Sequence, residues 1–178
     1  MALGATGWGD QIAIEVVNGI PYRMYTERPR RVESILTLAN RWGTRAHLVQ
    51  DDRTVRFQDL QPSVANKAAQ LTQLGVKPGD RVFVLGWNGP EWVVNFWACL
   101  HAGAVPVLAN TWWSAVELAN GLDLLKPALT LADAHAAARM PSGWRCGPWA
   151  IDTTNQPKGG VEPAQPMSQD EEDTAVII

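Results

Sequence analysis

Cysteine, histidine and tyrosine are scarce in this 178-residue chain: it has two, three and two of them. Cys99 and Cys146 stand far apart, in no CxxC or Cys/His spacing. That excludes a disulfide framework and a zinc-ligand pattern, and both read as reduced thiols. His47, His101 and His135 are isolated from one another, so no metal site is assigned. No apolar run approaches the ~20 residues of a spanning helix, so no transmembrane segment is expected. The first ten residues lack a basic start and a continuous apolar core, so a signal peptide is not expected and the cytoplasm is the default location. An excess of positive charge is also missing: 15 Lys and Arg stand against 18 Asp and Glu, for a net charge of −3. That removes the electrostatic case for a nucleic-acid partner or an anionic membrane surface. The one tight basic group, Arg28, Arg30 and Arg31, reads as a solvated face or a linker to the first helix.

The chain does have enough apolar material for a core, with 46% hydrophobic residues against 19% charged. Nine tryptophans are expected mainly to pack, each indole N–H finding a partner. Residues 1–30 are punctuated by Gly and Pro and should hold at most short strands. Val32, Ile35, Leu36 and Leu38 or Ala39 follow a helical spacing within 31–42. His47–Gln50 and Arg53–Arg56 flank Asp51-Asp52 as a small hairpin. Phe57, Leu60, Val64, Ala68, Leu71 and Leu74 fall at intervals of three and four, the stripe of an amphipathic helix ended by Gly75. Lys77-Pro-Gly-Asp80 is a turn. Arg81–Leu85 reads as a strand, followed by a loop through Gly89 and a helix begun by Pro90.

Ala104–Leu108 reads as the next strand, with Pro106 placing an unpaired N–H side there or delaying the strand's start. Ser114-Ala-Val-Glu117 is a capping box for a helix to about Leu125. Ala128–Ala132 and Trp149–Ile151 read as further strands, with a short helix over 134–140 between them. Pro-rich residues 153–173 form a surface linker, and Thr174–Ile178 a last strand. Short apolar strands alternating with longer helices define an α/β chain: a mainly parallel sheet flanked by helices.

The block Gly75-Val-Lys-Pro-Gly-Asp-Arg-Val-Phe-Val-Leu85, then Asn88-Gly-Pro-Glu-Trp92, then Ala102-Gly-Ala-Val-Pro106 with Asn110, carries a family resemblance. Thr54–Leu60 and Lys126–Asp133 extend it. The ordered series resembles the N-terminal region of the adenylate-forming (AMP-binding) enzymes, which include acyl-CoA synthetases and fatty-acid–CoA ligases. It covers about residues 30–178. The resemblance implies part of the N-terminal subdomain of that fold: an extension at 1–30, an α/β subdomain at 31–152, the linker at 153–173 and, at 174–178, the first strand of a missing remainder.

It also implies two-step chemistry in a longer parent. A carboxylate, fatty or otherwise apolar, attacks ATP to give an acyl-adenylate, and a thiol, commonly coenzyme A, then displaces AMP. Mg²⁺, backbone N–H groups and a lysine would meet the triphosphate charge. In the family a Thr/Ser/Gly-rich loop does this, after a strand preceded by acidic residues, much as Asp170–Ile178 reads here. The chain is therefore expected to be truncated one loop short of that site and inactive alone, with its partner the missing C-terminal portion. No catalytic, cofactor-binding or metal residue is assigned, and no ATP, Mg²⁺ or coenzyme A is expected on this chain.

Thr153-Thr-Asn-Gln-Pro-Lys-Gly-Gly160 looks like the tail of the phosphate loop. Asn155 replaces the glycine that allows close approach to phosphate, and Asp152 would repel it, so the segment reads as linker. Arg56 sits where the family has a Thr or Ser cap, and Trp87 replaces a proline. Asn88 is expected to cap the next helix rather than belong to a site. Trp112-Trp113 is expected to pack its loop rather than wall the acyl or thiol access. Two other classes stay open: a standalone nucleotide-binding α/β module and a non-catalytic interaction domain.

Overall fold

A computed structural model of the chain describes residues 11–152 and 172–178. It opens with an antiparallel hairpin, β1 (Ile12–Val17) and β2 (Ile20–Tyr25), turning through Asn18 and Gly19, both at positive φ. The expectation of at most short strands here understated two six-residue strands paired along their full length. The Arg28 guanidinium forks onto Glu15 at 2.9 and 2.7 Å and holds that carboxyl at about 2, well below its ordinary value. Arg30 also faces Glu15, and Arg31 faces Glu33. The basic cluster is thus paired locally rather than offered to a ligand.

The predicted helix over 31–42 is a broken one. Helix α1 (Ile35–Ala39) sits between two 3-10 turns, Val32–Ser34 and Asn40–Trp42, and Leu36 and Ala39 face inward. The hairpin of β3 (Ala46–Gln50) and β4 (Arg53–Arg56) forms as expected, with Asp51 at positive φ. Helix α2 (Phe57–Gln73) buries Leu60, Val64, Ala68 and Leu71, the predicted stripe. It tolerates Pro62 in its second turn at the loss of one ladder bond.

Gly75, at φ +83°, closes a Schellman motif. Its N–H reaches the Thr72 carbonyl, and the Val76 N–H reaches Leu71. Gly103 (φ +73°) repeats the device at the end of α3 (Pro90–His101), through Leu100 and Cys99. Two helices of the same face are thus stopped in the same way, and each hands the chain to a sheet strand.

The main sheet is parallel, in the order β6 (Val105–Leu108), β5 (Arg81–Leu85), β7 (Leu129–Ala132), β8 (Cys146–Gly147). Helices α2 and α3 cover one face, around Leu71, Val82, Val84, Ala98 and Leu131. Helices α4 (Ala115–Leu125) and α5 (Ala134–Ala137) cover the other, around Phe83, Leu85, Leu118 and Leu122. Residues of β5 alternate between these two cores, as a strand's period of two requires.

Pro106 lies in β6 without harm. Val105 and Ala109 donate toward β5, while Pro106 faces outward, where its carbonyl accepts from Ile177 N–H at 3.0 Å. The outer edge is where a missing N–H is tolerated. The expected last strand, Thr174–Ile178, appears as a single parallel bridge, Val107 to Ile177, rather than a strand.

The expected strand at Trp149–Ile151 does not form; the strand there is the two-residue β8, three residues earlier. The reason is competition for the backbone. The carbonyls of Pro148, Trp149 and Ala150 are taken by side chains, Lys67 and Asn95, instead of a neighbouring ladder. Among the described residues no helix is long and apolar enough to cross a membrane.

Candidate functional site at the carboxyl edge of the sheet

In an open parallel sheet, ligands sit beyond the carboxyl ends of strands whose connections leave to opposite faces. Here β5 feeds α3 on one face, while its neighbours β6 and β7 feed α4 and α5 on the other. The crevice beside β5 is therefore the place to look. Three short loops meet there: 86–89 after β5, 109–114 after β6, and Asp133 after β7.

Asp133 organises the junction. One carboxylate oxygen accepts the Ala136 N–H at 2.7 Å and caps α5, and the other accepts the Trp87 N–H at 2.9 Å. Asn110 folds its loop by accepting the Trp112 N–H at 2.9 Å. Arg139 then pins that loop by donating to the carbonyls of Thr111 and Trp113 at 2.7 and 3.1 Å.

The two adjacent tryptophans divide the work. Trp113 turns inward, its ring 6.3 Å from Phe83 and close against Gly121, as expected of a packing residue. Trp112, expected to pack as well, instead turns outward and is 78% exposed. It meets Trp87 edge-on, with centroids 5.0 Å apart, and His135 lies 6.5 Å from Trp87. Trp87, Trp112 and His135 form an apolar ledge on the site side of the sheet. Sequence reasoning weighed Trp87 alone and Trp112 only together with Trp113, and missed Asp133 and His135 as parts of one edge. Their signal was position: each lies within three residues of the end of β7.

Asn88 does not cap α3, contrary to expectation. Gly89 is the N-cap, in extended backbone and without a side-chain cap, and Pro90 begins the helix where its missing N–H costs nothing. The Asn88 carbonyl instead accepts from Gln50 Nε2 at 3.3 Å. That contact ties the β3–β4 hairpin to the loop, and an Arg53–Glu91 ion pair repeats the tie. Between them lies a shallow groove of about 350 Å³, lined by His47, Leu48, Val49, Gln50, Asn88 and Val93 among others. Burial lowers the His47 pKa and favours its neutral form, with the ring 4.4 Å from Phe57.

The groove does not fit a triphosphate or its metal. The groove is lined by no Lys, Arg, Asp or Glu, and among the described residues no group of three His, Cys, Asp or Glu could hold a metal ion. The phosphate-loop look-alike at 153–160 lies outside the described residues. What the edge offers is a shaped apolar wall on a rigid scaffold.

Sheet order and opposed connections define a doubly wound α/β protein. The chain belongs to the AMP-binding enzyme family, whose model matches residues 37–178. A curated relative is 3-[(3aS,4S,7aS)-7a-methyl-1,5-dioxo-octahydro-1H-inden-4-yl]propanoyl:CoA ligase of Mycobacterium tuberculosis. It is 41% identical over 76 residues, which are 43% of this chain and 15% of that one. Among solved structures, a benzoate CoA ligase from Burkholderia xenovorans LB400 superposes with a TM-score of 0.69 at 19% identity, over 81% of this chain and 31% of that one. The N-terminal subdomain of Klebsiella oxytoca NpsA, solved in complex with 3-hydroxybenzoyl-AMSN, gives 0.65 at 20% identity, over 83% and 37%. These likenesses confirm the expected fold, that of the N-terminal subdomain of adenylate-forming enzymes. The chain spans well under half the length of each of these proteins.

Proposed function

We propose that this chain is the scaffold part of an ATP-dependent acid–thiol ligase, in which a carboxylate is adenylated and then passed to a thiol such as coenzyme A. The family match over 37–178 carries this reading, and relatives named as CoA ligases support the choice of thiol. ATP, Mg²⁺ and coenzyme A would be held by residues outside those described, since the groove beside β3 has no charged lining. The chain's own contribution is the ledge of Trp87, Trp112 and His135, which would wall the site with apolar surface and suits a fatty or other apolar acid. On this reading the protein works in the cytoplasm as the product of a longer gene.

The test has two arms. The purified 178-residue chain, given ATP, Mg²⁺, coenzyme A and a panel of carboxylic acids, is expected to form no thioester and to exchange no pyrophosphate. The product of the coding sequence read past codon 178 is expected to do both. Thioester formation by the short chain, or a stop at that codon with unrelated sequence after it, would overturn the proposal. Micromolar ATP binding by the short chain alone would instead favour a standalone nucleotide-binding module.

A further inference from the structure

Among the described residues, Lys67 is one of the largest fully buried side chains, with 2% of its surface exposed. Burial of a lysine is costly unless its ammonium is met by acceptors. Its Nζ donates to the carbonyls of Pro148 and Ala150, the latter at 3.1 Å. On the adjoining helix, Asn95, fully buried, donates through Nδ2 to the carbonyl between them, that of Trp149, at 3.0 Å. Three successive carbonyls of an irregular segment are thus gripped from α2 and α3. Buried backbone acceptors require partners, and here side chains replace a ladder.

The grip has a direction. Trp149 packs on the core beneath α2 and α3, and its indole lies directly on Gly86. A Cβ added at Gly86 would come within 2.5 Å of the Trp149 ring. Gly86 is the first residue of the loop after β5, and the next residue, Trp87, is the one whose N–H is held by Asp133 and whose ring meets Trp112. The loop is bound from above by Asp133 and Gln50 and seated from below by Trp149.

We infer that Lys67 and Asn95 form a clasp on residues 148–150 that seats Trp149 against Gly86, and through that seat sets the conformation of the 86–89 loop at the carboxyl edge of the sheet. Lys67 is a positioning residue: it acts on the edge through Trp149, some way from it. The inference does not depend on the ligase reading, because it concerns how one strap and one loop share a seat.

Residue-resolved amide hydrogen exchange on the 178-residue chain tests it. Lys67→Met is expected to raise exchange about tenfold or more at Trp87, the loop amide that Asp133 accepts. The Leu118 amide, bonded to Ser114 on the opposite face, should hold its rate. Trp149→Ala, which leaves the clasp residues in place, should give the same increase at Trp87. The double variant should add little to either single one. A rise spread evenly over the molecule in Lys67→Met would mean simple loss of stability and would overturn the inference. So would unchanged exchange at Trp87 in Trp149→Ala, the variant that decides the matter if Lys67→Met does not fold.

Discussion

Lys67 and Cys99, on facing helices, carry the strongest electrostatic consequences of packing in the described core. Burial lowers the Lys67 pKa from 10.5 to about 8 and raises that of Cys99 from 9.0 to about 12. Between pH 8 and 10.5 the unfolded chain holds a proton on Lys67 that the folded chain has lost, so stability from this group rises with pH. Above pH 9 the unfolded thiol ionises while the folded one does not, so stability from Cys99 falls with pH. Denaturant melts should therefore show the parent chain gaining on Lys67→Met between pH 8 and 10.5. The parent should lose ground against Cys99→Ala above pH 9. A pH-independent difference in both comparisons would contradict the buried positions of the two groups. Lys67 was legible in part, since it falls on the buried stripe between Val64 and Leu71. Its partners were not, because they are backbone carbonyls 81 and 83 residues away.

The most self-contained element is α4. Ser114 Oγ accepts the Glu117 N–H at 3.3 Å, and the Glu117 carboxylate accepts the Ser114 N–H at 2.7 Å, which also lowers the Glu117 pKa. This reciprocal cap was readable from four residues, because each contact lies within one turn. Ser114→Ala is expected to cost about 1 kcal/mol in denaturant melts, with Glu117→Gln costing less because an amide oxygen still accepts. Equal stability of Ser114→Ala and the parent would count against the cap. The Gly75 helix end was legible for the same local reason. The Trp149–Ile151 strand was misread because its apolar pattern is compatible with a strand, while the choice between ladder and clasp was made by α2 and α3. Asn88 was misread because a helix-capping residue type one position early is no cap when the following Gly-Pro starts the helix.

At the scale of the molecule, apolar surface remains uncovered. Ile12, Ile14, Val16 and Tyr25 line one face of the β1–β2 hairpin and are all at least 43% exposed, and among the described residues the sheet continues beyond β6 only as the bridge to Ile177. Exposed apolar faces and an open strand edge favour association. The isolated chain is expected to show concentration-dependent association in sedimentation velocity; a monodisperse monomer with one cooperative melt would refute this.

What the sequence determined by itself was what local periodicity and turn chemistry encode: the alternation of strands and helices, the caps, the glycine stops and, through an ordered series of motifs, the family. Those signals act over a few residues and survive without knowledge of neighbours. Only the tertiary structure decided which strands adjoin β5, which carbonyls Lys67 and Asn95 grip, and that Trp87, Trp112 and His135 share one ledge. Those contacts join residues far apart in the chain, and their partners are chosen by how the two helical layers close on the sheet.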